Sequence, residues 1–212
     1  MSSRLDDLPL SQRDLCFLDL ETTGSVFGYH EIIDIAALRT SPSSAQVKGI
    51  WQRRVKPRHP NRTSVLAREL TCFDSESWTT AVEPDAYLFE EFAQFVGGCV
   101  PVCHNPSFDR AFITLAATAA GVHELGLDYH WIGTESLAWP LYLRGLLPKL
   151  SLASLCEYLG VGCEPTPHQA IHGADACRRA YQALMSQVFL PIASEATVAS
   201  SRSTFDSAHR VR

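Results

Sequence analysis

The run Cys16-Phe17-Leu18-Asp19-Leu20-Glu21-Thr22-Thr23-Gly24 constrains the fold of this chain more than any other stretch. The apolar residues from Asp14 to Leu20 read as a short buried strand. Successive side chains of a strand point to opposite faces, so Asp19 and Glu21 share one face. Two neighbouring carboxylates at an apolar sheet surface repel each other, and burial penalises the charge of each. Cations between them remove the conflict, and hard oxygen donors of this kind suit Mg2+ or Mn2+. Gly24 ends the strand and leaves room for a substrate backbone to come close.

The rest of the chain supplies partners for that strand. Residues Glu31 to Leu38 (EIIDIAAL) and Lys48 to Val55 read as two more strands, the latter ended by Lys56-Pro57, and short links suggest an antiparallel meander. Ser64 to Leu70 fits a short helix, and Tyr87 to Val96 a clearer one stopped by Gly97-Gly98. Cys99 to Cys103 is a short apolar strand, Ser107 to Ala120 a helix, and Tyr129 to Ile132 a further strand. Helices follow over Ser136 to Leu146, Ser151 to Leu159 and Gly173 to Val188. The expected architecture is α/β: a mixed five-stranded sheet, an antiparallel meander plus parallel strands, flanked by helices. One domain over residues 13–190 is expected, with a flexible N-terminus over 1–12 and a disordered Ser/Ala/Thr-rich tail over 191–212.

Bulk properties narrow the function classes. A formal net charge of −5 excludes a chain that binds nucleic acid as a polycation, so any such contact runs through a local patch or through metal ions. No stretch approaches the roughly 20 apolar residues of a membrane span, and the N-terminus has no basic start followed by an apolar run. The seven cysteines are odd in number and sit mostly in apolar runs, as expected of reduced thiols in the cytoplasm. Cys99, Cys103 and His104 invite a zinc site, but no second Cys/His pair stands at zinc-finger spacing.

Two further elements carry chemistry. In Val102-Cys103-His104-Asn105-Pro106-Ser107-Phe108-Asp109 a short strand turns into a helix, with Asp109 in its first turn near the positive dipole end. In Pro167-His168-Gln169-Ala170-Ile171-His172-Gly173-Ala174-Asp175 two histidines and one carboxylate stand at a loop-to-helix junction. A neutral imidazole there can act as a general base.

Together these elements resemble the three motifs of the DEDDh exonucleases, the proofreading-type (DnaQ-like) branch of the ribonuclease-H-like fold. FLDLETTG resembles the first motif and HEIIDIAAL the strand after it; VCHNPSFD resembles the second; LSLASLCEYLGV followed by PHQA resembles the approach to the third. The resemblance covers residues from about Leu15 to about Met185. It implies a 3′–5′ exonuclease that releases nucleoside 5′-monophosphates by two-metal hydrolysis. Asp19, Glu21, Asp109 and a final Asp would bind two divalent cations, Mg2+ or Mn2+. One cation would activate water and the other stabilise the leaving oxygen, with a His taking the proton. Leu20, Thr22 and Thr23 would hold the terminal nucleotide, together with Asn105 and Phe108 from the second motif.

The third motif departs from the family pattern, in which the His stands five residues before the Asp. Here His168 precedes Asp175 by seven, His172 precedes it by three, and the fifth position after His168 is Gly173. If the loop carries two extra residues, His168 is the base and Asp175 the ligand. If it does not, Gly173 replaces the acid and Asp175 sits roughly 200° further round the helix. The first alignment is the one expected, because a loop can re-phase a helix start; His172 is the alternative base, three residues from Asp175 on the same face.

The substrate expected is a single-stranded nucleic-acid 3′ end, with a lean to DNA over RNA and to association with a DNA polymerase. Phe27, Tyr29, His30 and Arg110 are candidate contacts, though each also suits a scaffold role. A rival reading is a catalytically impaired exonuclease fold acting as a nucleic-acid-binding or polymerase-associated module, which the Gly173 alignment would favour. A carboxylate-pair glycosidase is excluded, because Asp19 and Glu21 are too close together to flank a sugar.

Overall fold

The computed structural model describes residues 8–43, 46–76 and 78–189. The tail expected over 191–212 therefore lies outside the described residues. A five-stranded sheet runs in the order β3-β2-β1-β4-β5, formed by β1 (Leu15–Thr22), β2 (Ile32–Thr40), β3 (Val47–Arg54), β4 (Val100–Cys103) and β5 (Ile132–Gly133). β1, β2 and β3 are antiparallel neighbours, whereas β4 pairs parallel to β1 and β5 parallel to β4. The mixed sheet matches the expected fold. The fifth strand is shorter than expected and starts later, at Ile132, because Asp128 turns the chain by accepting from the His130 N–H at 2.8 Å.

The period of two on β1 sorts its side chains. Cys16, Leu18 and Leu20 face a core built with α2 (Ala86–Val96) and α3 (Pro106–Ala119), which contribute Phe89, Phe92, Phe112 and Ile113. Leu15 and Phe17 face the other way, against Val100, Val102, Cys177 and Tyr181. Asp19 and Glu21 continue this second face toward the end of the strand. Their face is the one covered by α6 (Ala170–Ala183), which packs on β1 and β2 and against α5 (Leu152–Leu159). Ala138, Leu141, Leu155, Cys156, Ala176 and Ala180 form a satellite core joining α5 and α6 to α4 (Thr134–Leu143).

Local chemistry sets the helix starts. Ser64 caps α1 (Val65–Thr71), Asp85 caps α2 and Ser151 caps α5, each side chain accepting a backbone N–H. Asn105 accepts the Ser107 N–H at 3.2 Å and Pro106 takes the first helical position of α3, where a missing N–H costs nothing. The last helix begins at Ala170, three residues before the expected start, because the Ala170 N–H finds the Asp34 carboxylate of β2 at 3.0 Å.

Candidate active site

β1 pairs with β4 only over Leu15 to Phe17, so its carboxyl end runs on past β4 into the crevice where α3 begins. Asp19 and Glu21 stand on that free end. Asp109, in the first turn of α3, is buried and accepts a hydrogen bond from the Cys103 thiol. Glu164, on the loop before α6, closes the cluster: one oxygen each of Glu21 and Glu164 and a ring nitrogen of His168 lie within 4.8 Å of one another.

The pKa of every acid of the cluster is raised. Burial is the main cause in each case. It pushes Glu21 up to about 8, with the charges of Glu164, Asp34 and Asp109 adding to it. Asp19 stands well above the usual carboxylate range, raised by burial and then by Asp109 and Glu21. Burial lifts Asp109 to about 7, against the pull of the Cys103 thiol and its own backbone. Glu164 rises to about 7 despite the Gln169 N–H and the His172 imidazole, which favour its charged form. Four acids this close cannot all ionise on their own. Glu164 Oε1 and His172 Nδ1 are moreover buried without a hydrogen-bond partner. Clustered hard oxygens with an orphaned acceptor among them fit divalent cations of the Mg2+ or Mn2+ type.

The third motif follows the alignment that was not expected. Gly173, buried on α6, faces Asp19: a Cβ added there would lie 2.6 Å from the Asp19 Cγ. Asp175 is two residues on, roughly 200° further round the helix. It is 37% exposed and is held by Arg178 at 2.7 Å and Arg179 at 3.1 Å. It is not brought to the carboxylates. The phase is set by Ala170, Gly173, Ala174 and Cys177, whose small side chains let α6 lie close on the sheet. His168 does reach the cluster, with its Nδ1 3.4 Å from Glu164 Oε2, and burial keeps its pKa below the ordinary value. His172 stands beside Glu164.

The expected nucleotide contacts are mixed. Leu20 lies in the core. Thr22 donates its hydroxyl to the Gly24 carbonyl at 2.7 Å, and the Thr23 hydroxyl accepts the Glu31 N–H at 2.9 Å, so both side chains hold the turn after β1. His30 packs on Gly24 and accepts the Val26 N–H at 2.9 Å, a scaffold role. Asn105 is a helix cap. Phe108 stacks at 4.7 Å from Phe112 and 6.0 Å from Phe27, whose ring is half exposed. Tyr29 carries the Arg62 guanidinium over its ring at 4.8 Å.

Glu164 in the cluster and Asp34 beside it are absent from the motif reading. Glu164 could have been noticed as the acid four residues before His168. Asp34 is a carboxylate inside the apolar run of β2, held by Gln52 at 2.8 Å and by the Ala170 N–H. It positions α6 against the end of β1.

The RNase_T exonuclease model matches residues 16–181, from the start of β1 to near the end of α6. The chain belongs to this exonuclease family. Among its relatives, a PolC-type DNA polymerase III of Halalkalibacterium halodurans is 27% identical over 169 residues, 80% of this chain and 11% of that protein. A putative bifunctional exonuclease/endonuclease protein of Mycobacterium tuberculosis is 28% identical over 194 residues, 86% of this chain and 28% of that protein. Escherichia coli exonuclease I in complex with a dT13 oligonucleotide shares the fold with a TM-score of 0.71 at 17% identity, covering 83% of this chain and 42% of that one. The nuclease domain of 3′hExo, a DEDDh family member bound to rAMP, matches with a TM-score of 0.66 at 14% identity, over 84% of this chain and 94% of that one. This exonuclease domain thus spans a small part of the polymerase and less than half of exonuclease I, but nearly all of the isolated nuclease domain. No helix among the described residues is long and apolar enough to cross a membrane.

Proposed function

We propose that this exonuclease domain is a divalent-metal-dependent 3′–5′ exonuclease that removes nucleoside 5′-monophosphates from the 3′ end of single-stranded DNA. The observation that carries the reading is the meeting of Asp19, Glu21 and Asp109 with Glu164 in one half-buried cluster of raised pKa values. Asp19, Glu21 and Asp109 would hold Mg2+ or Mn2+, and the chemistry such ions supply when bound is charge stabilisation on the phosphodiester. His168, neutral at pH 7 because burial lowers its pKa, would accept the proton of the attacking water. The Phe27 and Phe108 rings offer a stacking face for the terminal base. The DNA complex of exonuclease I and the polymerase relatives support DNA as substrate and a polymerase as partner.

The test is a 5′-labelled single-stranded DNA oligonucleotide incubated with the full chain and Mn2+. A ladder shortening from the 3′ end, with mononucleotide release, is expected. Asp19→Asn and Glu21→Gln should slow it by at least about 100-fold, the upper range for losing even an outer partner of a metal site. A wild-type chain that releases nothing refutes the enzyme. Gly173 favours a second reading, a domain that binds nucleic acid without cutting it. DNA binding and Mn2+ stabilisation without mononucleotide release would establish that reading instead.

A further inference from the structure

The family pattern asks α6 for an acid, and this chain has Gly173 in that place. The position cannot simply be refilled, because the carboxylate of Asp19 occupies the space where a side chain would start. The cluster nevertheless holds a fourth acid next to Asp19, Glu21 and Asp109, and it comes from the loop between α5 and α6. Glu164 has an unusual environment for a loop residue. Its side chain is only 15% exposed. Its Oε1 is buried and accepts no hydrogen bond. Its Oε2 faces His168 Nδ1 at 3.4 Å.

A loop ion pair made only for stability would turn its free oxygen to water, since a buried acceptor without a donor costs about 1–3 kcal/mol. Here the free oxygen is kept inside, on a side chain whose carboxylate neighbours that of Glu21. The ligand atoms of Glu21, Glu164 and His168 lie within 4.8 Å of one another, a spread that two metal–oxygen bonds of about 2.1 Å nearly span.

We infer that Glu164 supplies the fourth carboxylate of the metal site from the α5–α6 loop, replacing the acid that α6 lacks at Gly173. With Glu21 it holds the second divalent cation, and Asp175 takes no part. The inference rests on the metal-dependent reading above.

The test is calorimetric titration of MnCl2 into the metal-stripped full chain, with wild type, Glu164→Gln and Asp175→Asn compared. Wild type is expected to bind two Mn2+ ions. Glu164→Gln should lose one of them or bind it at least about tenfold more weakly, and Asp175→Asn should match wild type. Unchanged binding in Glu164→Gln overturns the inference, as does loss of a site in Asp175→Asn, or a wild type that binds one ion only; each of these leaves the nuclease reading standing. A wild type that binds no Mn2+ overturns both. If circular dichroism shows Glu164→Gln unfolded, Glu164→Cys decides. Its thiolate should add ultraviolet charge-transfer absorbance with Cd2+ beyond that of wild type, whose exposed Cys72 and Cys163 supply the background, and no added absorbance overturns the inference.

Discussion

The crowded carboxylates make a prediction about stability and pH that needs no substrate. In the metal-free fold Glu21 is raised from 4.5 to about 8, and Glu164 from 4.5 to about 7. In the unfolded chain these groups ionise near their ordinary values. Between about pH 5 and 8 the folded state therefore holds more protons than the unfolded state, and stability falls as pH rises. The contribution is fully present below the unfolded pKa and is lost as pH passes through 7 to 8. His104 and His168, both lowered by burial, act with the opposite sign, but only below their ordinary value of 6.5. The clean window is thus pH 6.5 to 8. One proton held in excess by the folded state gives a slope of about 1.4 kcal/mol per pH unit. At roughly 2–4 °C per kcal/mol for a domain of this size, Tm should fall by about 3–6 °C per pH unit. The assay is a thermal melt followed by circular dichroism in EDTA at several pH values, repeated for Glu21→Gln. The variant should lose part of the slope, because Asp19, Asp109 and Glu164 are raised as well. With saturating Mn2+ the wild-type slope should flatten or reverse, because cation binding needs the carboxylates deprotonated. A metal-free Tm that stays level or rises from pH 6.5 to 8 would refute the idea that Glu21 is desolvated among like charges.

The packing of α6 makes two more predictions. Gly173→Ala gains about 1 kcal/mol of helix propensity but must displace the Asp19 carboxylate, an overpacking cost of about 1–3 kcal/mol. It should be no more stable than wild type in EDTA and should show a smaller Mn2+-induced rise in Tm; the full helix gain with an intact Mn2+ response would mean that Gly173 does not rest on Asp19. Asp34→Ala removes the acceptor of the buried Ala170 N–H and should cost about 1–3 kcal/mol in urea unfolding, with faster hydrogen exchange in the first turn of α6 than in α5. Equal exchange in both helices would show that Asp34 does not anchor α6.

Different residues were legible for different reasons. Asp19 and Glu21 could be read because a strand has a strict period and their neighbours are apolar, so their shared face follows from position alone. Asp109 could be read because a strand ending in His-Asn-Pro fixes where a helix starts. Asp175 could not, because spacing from a histidine in a loop does not set the phase of the helix that follows. That phase was nonetheless written in α6 itself. Ala170, Gly173, Ala174 and Cys177 are small residues at helical spacing, and Tyr181 continues the stripe that lies on the sheet. A stripe of this kind places Gly173 inward and leaves Asp175 outside with Arg178 and Arg179. It carries more information than the distance to a histidine, because packing acts on the whole helix while a loop absorbs single insertions. Glu164 was visible only as the acid four residues before His168, and its role was out of reach for the converse reason. Its place in the cluster depends on the path of the α5–α6 loop in three dimensions, which no periodicity records. A catalytic fold of this type needs oxygens within reach of one point, and it does not prescribe which element brings them. The small residue at 173 therefore bears on α6 packing, and the count of carboxylates at the site has to be made in space.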